Sequence, residues 1–149
     1  MNQFLTEKKI KGINIIGLQT LIKREVFRFL NVYTQTIIAP MVTTLMFYTV
    51  FALAFGGLQR EINGISFLSF LAPGLIMMTM VQNAFANTSS SLVISKVQGN
   101  IVDVLMPPLS AAELFTGYAV GAVTRGVIVG TCTTFVLYFF APMSFHSIA

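Results

Sequence analysis

Few residues in this sequence have the type and spacing to do chemistry, and Arg125 raises the sharpest question. It lies in an apolar run from Ala111 to Phe140, twelve residues beyond Glu113, or about 18 Å along a helix. If that run crosses a bilayer, the guanidinium sits near its middle. A charge there is costly and faces either a partner or a wet cavity. No other acid falls at that depth, so the partner is expected on another polypeptide or on backbone carbonyls. The arginine then serves as a packing ion or takes part in a transport path. Enzyme chemistry finds no support. His146 stands alone near the far end, so no Ser/His/Asp set exists. No two carboxylates share a helix face for acid–base work. Cys132 is the single cysteine, inside an apolar run; it offers no internal disulfide and no metal site, and reads as a small packing residue. The G-x-x-x-x-G-K-[ST] loop that cradles nucleotide phosphates is missing. The chain therefore reads as a non-enzyme with no cofactor, no catalytic residue and no metal.

A second cluster of polar residues interrupts the apolar sequence. "QGNIVDVLMPPLSAAEL", Gln98 to Leu114, holds two of the five acids and a double proline. Overlapping its start, Leu92 to Met106 is too short and too often interrupted (Lys96, Gln98, Asn100, Asp103) to span a membrane. Its apolar positions Leu92, Val93, Val97, Ile101, Val104 and Leu105 predict a short amphipathic helix at the surface. Gly99 could divide it, and Pro107-Pro108 end it.

The elements that must position these residues follow from composition. Of 149 residues, 55% are hydrophobic and 9% are charged, with a mean hydropathy of +0.80. A soluble domain carries about 25% charged residues, so lipid is expected to cover much of this surface. No charge falls between Arg28 and Arg60, or between Glu61 and Lys96, and none follows Arg125 apart from His146. Each window holds the roughly 20 apolar residues that a membrane helix needs. Spans are predicted near 36–56, 65–86 and 111–141, with a loop at 87–110 that begins in the polar exit Asn87 to Ser91. Pro40 falls in the first turn of the first span, where its missing N–H costs little, and Gly56-Gly57 end that span. Ala52-Leu53-Ala54 resembles a cleavage site, but more than thirty residues precede the apolar run, too many for a signal peptide. Pro73-Gly74 should kink the second span or delay its regular part. The third span carries two small-x-x-x-small pairs on opposite faces, Gly117 with Gly121 and Gly126 with Gly130, so each face could receive a close helix neighbour.

Residues 1–35 read as an N-terminal segment, polar and loose to Gly12 and helical from Ile13. Ile15, Leu18, Ile22, Val26, Phe29 and Tyr33 share one face; Thr20, Arg24, Arg28 and Asn31 share the other. That pattern predicts an amphipathic helix in the membrane interface, basic side toward the headgroups. The formal charge of +4 comes from this end, with Lys8, Lys9, Lys11, Lys23, Arg24 and Arg28 supplying six of the nine basic residues. The asymmetry speaks to orientation, not nucleic acid, because the Phe-rich aromatics are not interleaved with basic residues. By the positive-inside rule the N-terminus and the Pro-Pro loop are cytoplasmic, while the Arg60 turn and Pro142 to Ala149 lie outside. The fold class is all-α and integral to the membrane: an interfacial helix, three spans, and a cytoplasmic helix between the second and third.

With these residues in view, the sequence resembles the permeases of type-2 ATP-binding-cassette exporters. "FLAPGLIMMTM", Phe70 to Met80, is similar to the start of that family's second span. "KVQGNIVDVLMPPLSAAELFTGYAVG", Lys96 to Gly121, is similar to its cytoplasmic loop and third span, with Lys96, Gly99 and Pro108-Leu109-Ser110 in order. The resemblance implies a bacterial inner-membrane exporter subunit driven by a separate ATPase, with a loop (Lys96, Gln98, Gly99, Asp103, Pro107, Pro108, Ser110) that docks on that ATPase. Drug-like, hydrophobic, lipid-linked and glycan substrates all fit. The family has six spans and this chain has three. It is therefore expected to be the N-terminal half of a permease, a split product or a truncation, completed by the other half or a second copy. The alternative is a three-span remnant acting as a scaffold without transport; a simple pore ranks below both, since few polar residues line one face.

Overall fold

The computed structural model describes residues 12–55, 61–62 and 65–140. The readings made for Lys8, Lys9 and Lys11, for Gly56-Gly57, for the Arg60 turn, and for Pro142 and His146 lie outside the described residues.

The first helix, α1, is Ile15–Leu30. Asn14 caps it: its side-chain oxygen accepts from the Gly17 N–H at 3.0 Å, satisfying one of the orphan donors of the first turn. Leu21, Glu25 and Phe29 recur every fourth residue and are buried. The packed face is thus rotated from the expected one. Phe29 is inside and Leu18, Ile22 and Val26 are half-buried, but Ile15 and Tyr33 are exposed. Arg28 is also not turned outward: it reaches onto the helix beside it. The reason lies in the partner surface, whose glycines accept Leu21 and Glu25.

A π-helical turn, Thr34–Ile38, leads into α2, Ala39–Phe55. Pro40 has no N–H to return to the preceding turn, and its ring crowds the carbonyl four residues back. A widened turn accommodates it; the Ala39 N–H donates to the Thr34 carbonyl, five residues earlier. The Thr36 hydroxyl donates to the Phe29 carbonyl at 2.9 Å, which also accepts from the Val32 N–H at 3.3 Å. Within α2 only Thr44 and Tyr48 are buried, while Val42, Met46, Phe47, Val50 and Leu53 are exposed. That is the surface of a helix made for lipid.

Two strands of two residues each, β1 (Glu61–Ile62) and β2 (Ile65–Ser66), pair antiparallel. They lead into α3, Phe67–Val97, which starts ahead of Pro73 and runs through it. Its 31 residues give a rod of about 46 Å, longer than the roughly 30 Å hydrocarbon core of a bilayer. The polar exit at Asn87 to Ser91 is therefore not a loop, and Leu92 to Val97 are not a separate helix: both belong to α3. Asn and Ser are weak helix formers in isolation, but tertiary partners override that preference. Beyond Val97 the chain breaks at Gly99, whose φ of +75° suits glycine. A five-residue helix, α4 (Ile101–Leu105), follows.

The last helix, α5, is Ala111–Phe140. It begins at a capping box. Ser110 Oγ accepts from the Glu113 N–H at 3.3 Å, and the Glu113 carboxylate accepts from the Ser110 N–H at 2.6 Å. The other Glu113 oxygen accepts from the Asn14 N–H, tying the start of α5 to the start of α1. Three helices are long and apolar enough to cross a membrane: Thr34–Phe55, Phe67–Val97 and Ala111–Phe140. The fold is all-α in its spans, as expected.

The helices meet around α5. Tyr48, Ala72, Ile76 and Leu137 form one apolar cluster at the far end from the Pro-Pro loop; Leu21, Val104 and Tyr118 form another beneath that loop. Between them α5 offers glycines to two neighbours. A Cβ at Gly117 would collide with Leu21, and one at Gly121 would lie 2.8 Å from Glu25 Cβ. A Cβ at Gly126 would lie 3.1 Å from the Met80 carbonyl oxygen, and one at Gly130 would collide with the Met80 side chain. The first pair thus seats α1 and the second seats α3, through close backbone approach of the kind small residues permit.

Candidate functional site: a polar ladder through the bundle and the loop at its end

One stripe of α3 is polar, and it is buried. Thr79, Asn83, Asn87 and Ser91 recur at intervals of four, so they lie one above another on a single face, over about 18 Å of helix. In lipid an unpaired polar side chain is costly, and every rung finds a partner on another helix. Thr79 Oγ1 lies 2.8 Å from Thr44 Oγ1 of α2. Asn83 Oδ1 accepts from Arg125 Nη2 of α5 at 3.2 Å. The Asn87 carbonyl and side-chain oxygens accept from Arg28 Nη2 of α1 at 2.8 and 3.2 Å. Ser91 Oγ donates to Glu25 Oε1 of α1 at 2.8 Å. The ladder is the element common to all four long helices.

The lower rungs contain the strongest charges. Glu25 has no exposed surface. Arg28 Nη2 meets its Oε2 at 3.1 Å and Arg24 Nη2 lies 3.6 Å from its Oε1. Arg28 also donates to Ser90 Oγ at 3.4 Å. Three side-chain nitrogens nonetheless stay buried without a hydrogen-bond partner among the described residues: Arg28 Nε, Arg125 Nε and Asn87 Nδ2.

Within the chain the Arg125 guanidinium meets the side-chain amide of Asn83, a partner that the sequence reading, which looked to acids, carbonyls and other polypeptides, did not name; an amide oxygen also accepts from a guanidinium. Glu25, Asn83 and Asn87 were missed as well. Their signal was present: the four-residue spacing of Thr79, Asn83, Asn87 and Ser91, and a Glu25–Arg28 pair at i, i+3.

The loop residues lie at one end of this ladder. Lys96 is exposed in the last turn of α3, Gln98 is its C-cap, and Gly99 makes the left-handed break. Asp103 is exposed in the first turn of α4, and Pro107, Pro108 and Ser110 are exposed beyond it. Val104 points inward, onto Leu21 and Tyr118. Asp103, Pro107 and Leu109 face Gly17, Thr20 and Arg24 of α1 across a small cavity of about 200 Å³. The loop is thus brought together with α1 and α5, where Gly117 meets the same Leu21 that Val104 packs on, while Arg125 and the Gly126–Gly130 pair lie deeper in the bundle. Among the described residues no cluster of His, Cys, Asp and Glu could hold a metal ion, and Cys132 is half-buried on α5 with a free thiol.

Residues 17–147, from the first turn of α1 to beyond α5, match the model of the family described as ABC-2 type transporter. The chain belongs to that family. Among curated proteins it is similar to the inner membrane transport permease YadH of Escherichia coli K12, of Escherichia coli O157:H7 and of Shigella flexneri. Each is 34% identical over 132 residues, covering 89% of this chain and 52% of the relative. The chain spans about half the length of the curated relatives it matches. No solved structure matches it. The family and the three apolar helices together identify a membrane permease segment of an ABC transporter; the ladder is what ties its helices to one another.

Proposed function

We propose that this chain forms the N-terminal half of an exporter permease in a bacterial inner membrane, driven by a separate ATP-binding-cassette ATPase that docks on the loop from Lys96 to Ser110. The family match over residues 17–147 carries this reading. The names of the relatives, inner membrane transport permeases, favour the location, and the basic N-terminal segment favours a cytoplasmic start. The exposed outer side of α1, with Ile16 and Phe27 beside Lys23, suits a helix lying where headgroups meet acyl chains.

The loop's attachments favour its role as a coupling element. It is braced on α1 through Val104 and Leu21, and on α5 through Tyr118 and the Glu113 clasp. A push on the loop is therefore shared between two helices. Gly99 supplies the turn and Asp103 an exposed charge for a partner surface. The remaining half of the permease, or a second copy, completes the bundle around the exposed side of α2.

The test is co-purification of the complete permease with an ATP-binding-cassette ATPase co-expressed from the same bacterium. Recovery of the ATPase with wild-type permease is expected. Reversing the charge with Asp103→Arg should lower ATPase recovery or substrate-stimulated ATP hydrolysis by about tenfold with helix content unchanged. Failure to recover any ATPase, or labelling of a cysteine at Gln98 from outside intact cells, would refute the assignment; a stable protein with neither partner nor activity would be the scaffold reading.

A further inference from the structure

Arg125 stands at the middle of the bundle, and its charge is unanswered there. It lies 14 residues from Ala111 and 15 from Phe140, so about 21 Å of helix or more separates it from either end of α5. Asn83, which accepts from it, holds the same place in α3, 16 residues from Phe67 and 14 from Val97. Beside this rung a groove of about 570 Å³ opens between the α1–α2 junction and α3. We propose that the groove seats a membrane-spanning helix from another segment of the permease, and that this helix carries an aspartate or glutamate at mid-membrane that pairs with Arg125. The proposal rests on the permease reading above and names the chemistry of the segment that completes the bundle.

Charge points to an acid. Among the described residues Glu25 is shared by Arg24 and Arg28, and Arg125 forms no ion pair. Asn83 gives it a neutral oxygen through one Nη, and its Nε is buried without a partner. Arg28 lines the same groove and adds to the positive excess. Asp103 and Glu113 belong to the loop end, and neither lines the groove. A buried cation without a counter-ion is costly, and in a membrane it marks a partner. Depth decides what kind. The hydrocarbon core is about 30 Å thick, so lipid headgroups stay about 15 Å from its centre. A side chain on a spanning helix can stand at any depth.

The wall of the groove points to a helix. Ala86, Ser90 and Ile94 line it and recur at intervals of four, so they form a second stripe of α3 beside the polar ladder. Ala86 and Ser90 are small, and a small-x-x-x-small pair lets a neighbouring backbone come close. The two glycine pairs of α5 do the same for α1 and α3. Next to the groove, α2 buries only Thr44 and Tyr48, so a helix laid here would cover part of its bare surface as well. The stretch matched in the curated relatives is 52% of their length, which leaves about as much permease again to supply that helix.

The test compares Arg125→Gln in two preparations, the isolated 149-residue chain and the complete permease, melted in one detergent and followed by circular dichroism. In the isolated chain the substitution removes a charge that has no counter-ion, and the melting temperature should rise or fall by less than about 2 °C. In the complete permease it strands the partner acid, and the melting temperature should fall by at least about 5 °C. Lys23→Gln, an equal loss of charge at an exposed site, should move neither by more than about 2 °C.

A second measurement finds the acid itself. In Arg125→Lys, dicyclohexylcarbodiimide activates a carboxyl group in contact with the introduced amine; the amine attacks the acyl carbon, an amide bond forms, and the carboxyl oxygen leaves in dicyclohexylurea. Mass spectrometry of the digested complete permease should show position 125 linked to an Asp or Glu within an apolar segment outside residues 1–149. Ala86→Phe, which crowds the small stripe, should lower the yield by about tenfold. An equal loss of stability in both preparations would make Arg125 a packing residue held by Asn83 alone and would overturn the proposal, as would a link from position 125 to Glu25 or no link at all. Should Arg125→Lys fail to accumulate, the two melting shifts of Arg125→Gln decide. No ATPase is present in either measurement, so failure here leaves the permease reading standing, and failure to recover an ATPase leaves the pairing of Arg125 standing.

Discussion

Gly121 offers the most discriminating perturbation, because the structure separates it from an otherwise equivalent glycine. A Cβ at Gly121 would lie 2.8 Å from Glu25 Cβ, whereas carbon–carbon contact begins near about 3.5 Å. Glu25 Cβ is fixed to the α1 backbone, so no rotamer relieves the overlap; α1 must retreat by about 0.7 Å. A retreat of that size loosens the buried Ser91–Glu25 bond of 2.8 Å, which reaches about 3.5 Å, past the useful range for O–H···O, if the whole shift falls along it. A hydrogen bond to a charged group is worth about 1.5–3 kcal/mol. Replacing glycine by alanine inside a helix returns about 1 kcal/mol. Gly121→Ala should therefore cost about 0.5–2 kcal/mol net. At Gly130 the obstacle is the Met80 side chain from Cγ outward, which a change of its χ1 rotamer moves aside without a backbone shift. That adjustment costs about 0.5–1.5 kcal/mol, nearly cancelled by the same propensity gain. Thermal unfolding of the two variants in one detergent, followed by circular dichroism, should place Gly121→Ala about 2–5 °C below Gly130→Ala. Should Gly121→Ala melt at or above Gly130→Ala, the seating of α1 on α5 through Glu25 is wrong.

Three further outcomes follow from the ladder and the loop. Asn83→Leu removes the oxygen that accepts from Arg125 and should lower stability by about 1.5–3 kcal/mol, read as a lower melting temperature that Arg125→Leu in the same chain partly restores. Thr44→Val alone should cost about 1 kcal/mol by leaving the Thr79 hydroxyl with fewer partners, while Thr44→Val with Thr79→Val should be nearly neutral; a double-mutant cycle on melting temperature reads the coupling. Gly99→Ala meets no steric obstacle, so its whole cost is the left-handed backbone, about 1–2 kcal/mol, and Gly99→Asn should melt closer to wild type.

The spans were legible because charge is so scarce: its gaps mark where lipid takes the place of water, and no partner need be known to see them. The two glycine pairs were legible for a similar reason, since a helix leaves its small residues at a fixed angle to one another. What the sequence hid was the boundary between span and loop. Asn87 to Ser91 look like an exit because they are polar, yet α3 continues through them, and their partners sit on α1, sixty residues earlier in the chain. Arg28 was read as facing headgroups by the same reasoning. Its true direction is set by where α5 seats α1, which depends on Gly117 and Gly121 meeting Leu21 and Glu25. Polarity along one helix reports its surroundings only after its neighbours are placed, and that information is long-range.

The ladder on α3 also constrains how the protein is made. When α3 leaves the ribosome, α5 does not yet exist, and Asn83 has no arginine to meet. A helix with Thr79, Asn83, Asn87 and Ser91 on one side gains little from facing acyl chains alone. It is best kept at the insertion machinery, or against α1, until Arg125 has been synthesised. Thus α3 and α5 are expected to enter the lipid as a joined pair, so that the order of the chain becomes part of the fold.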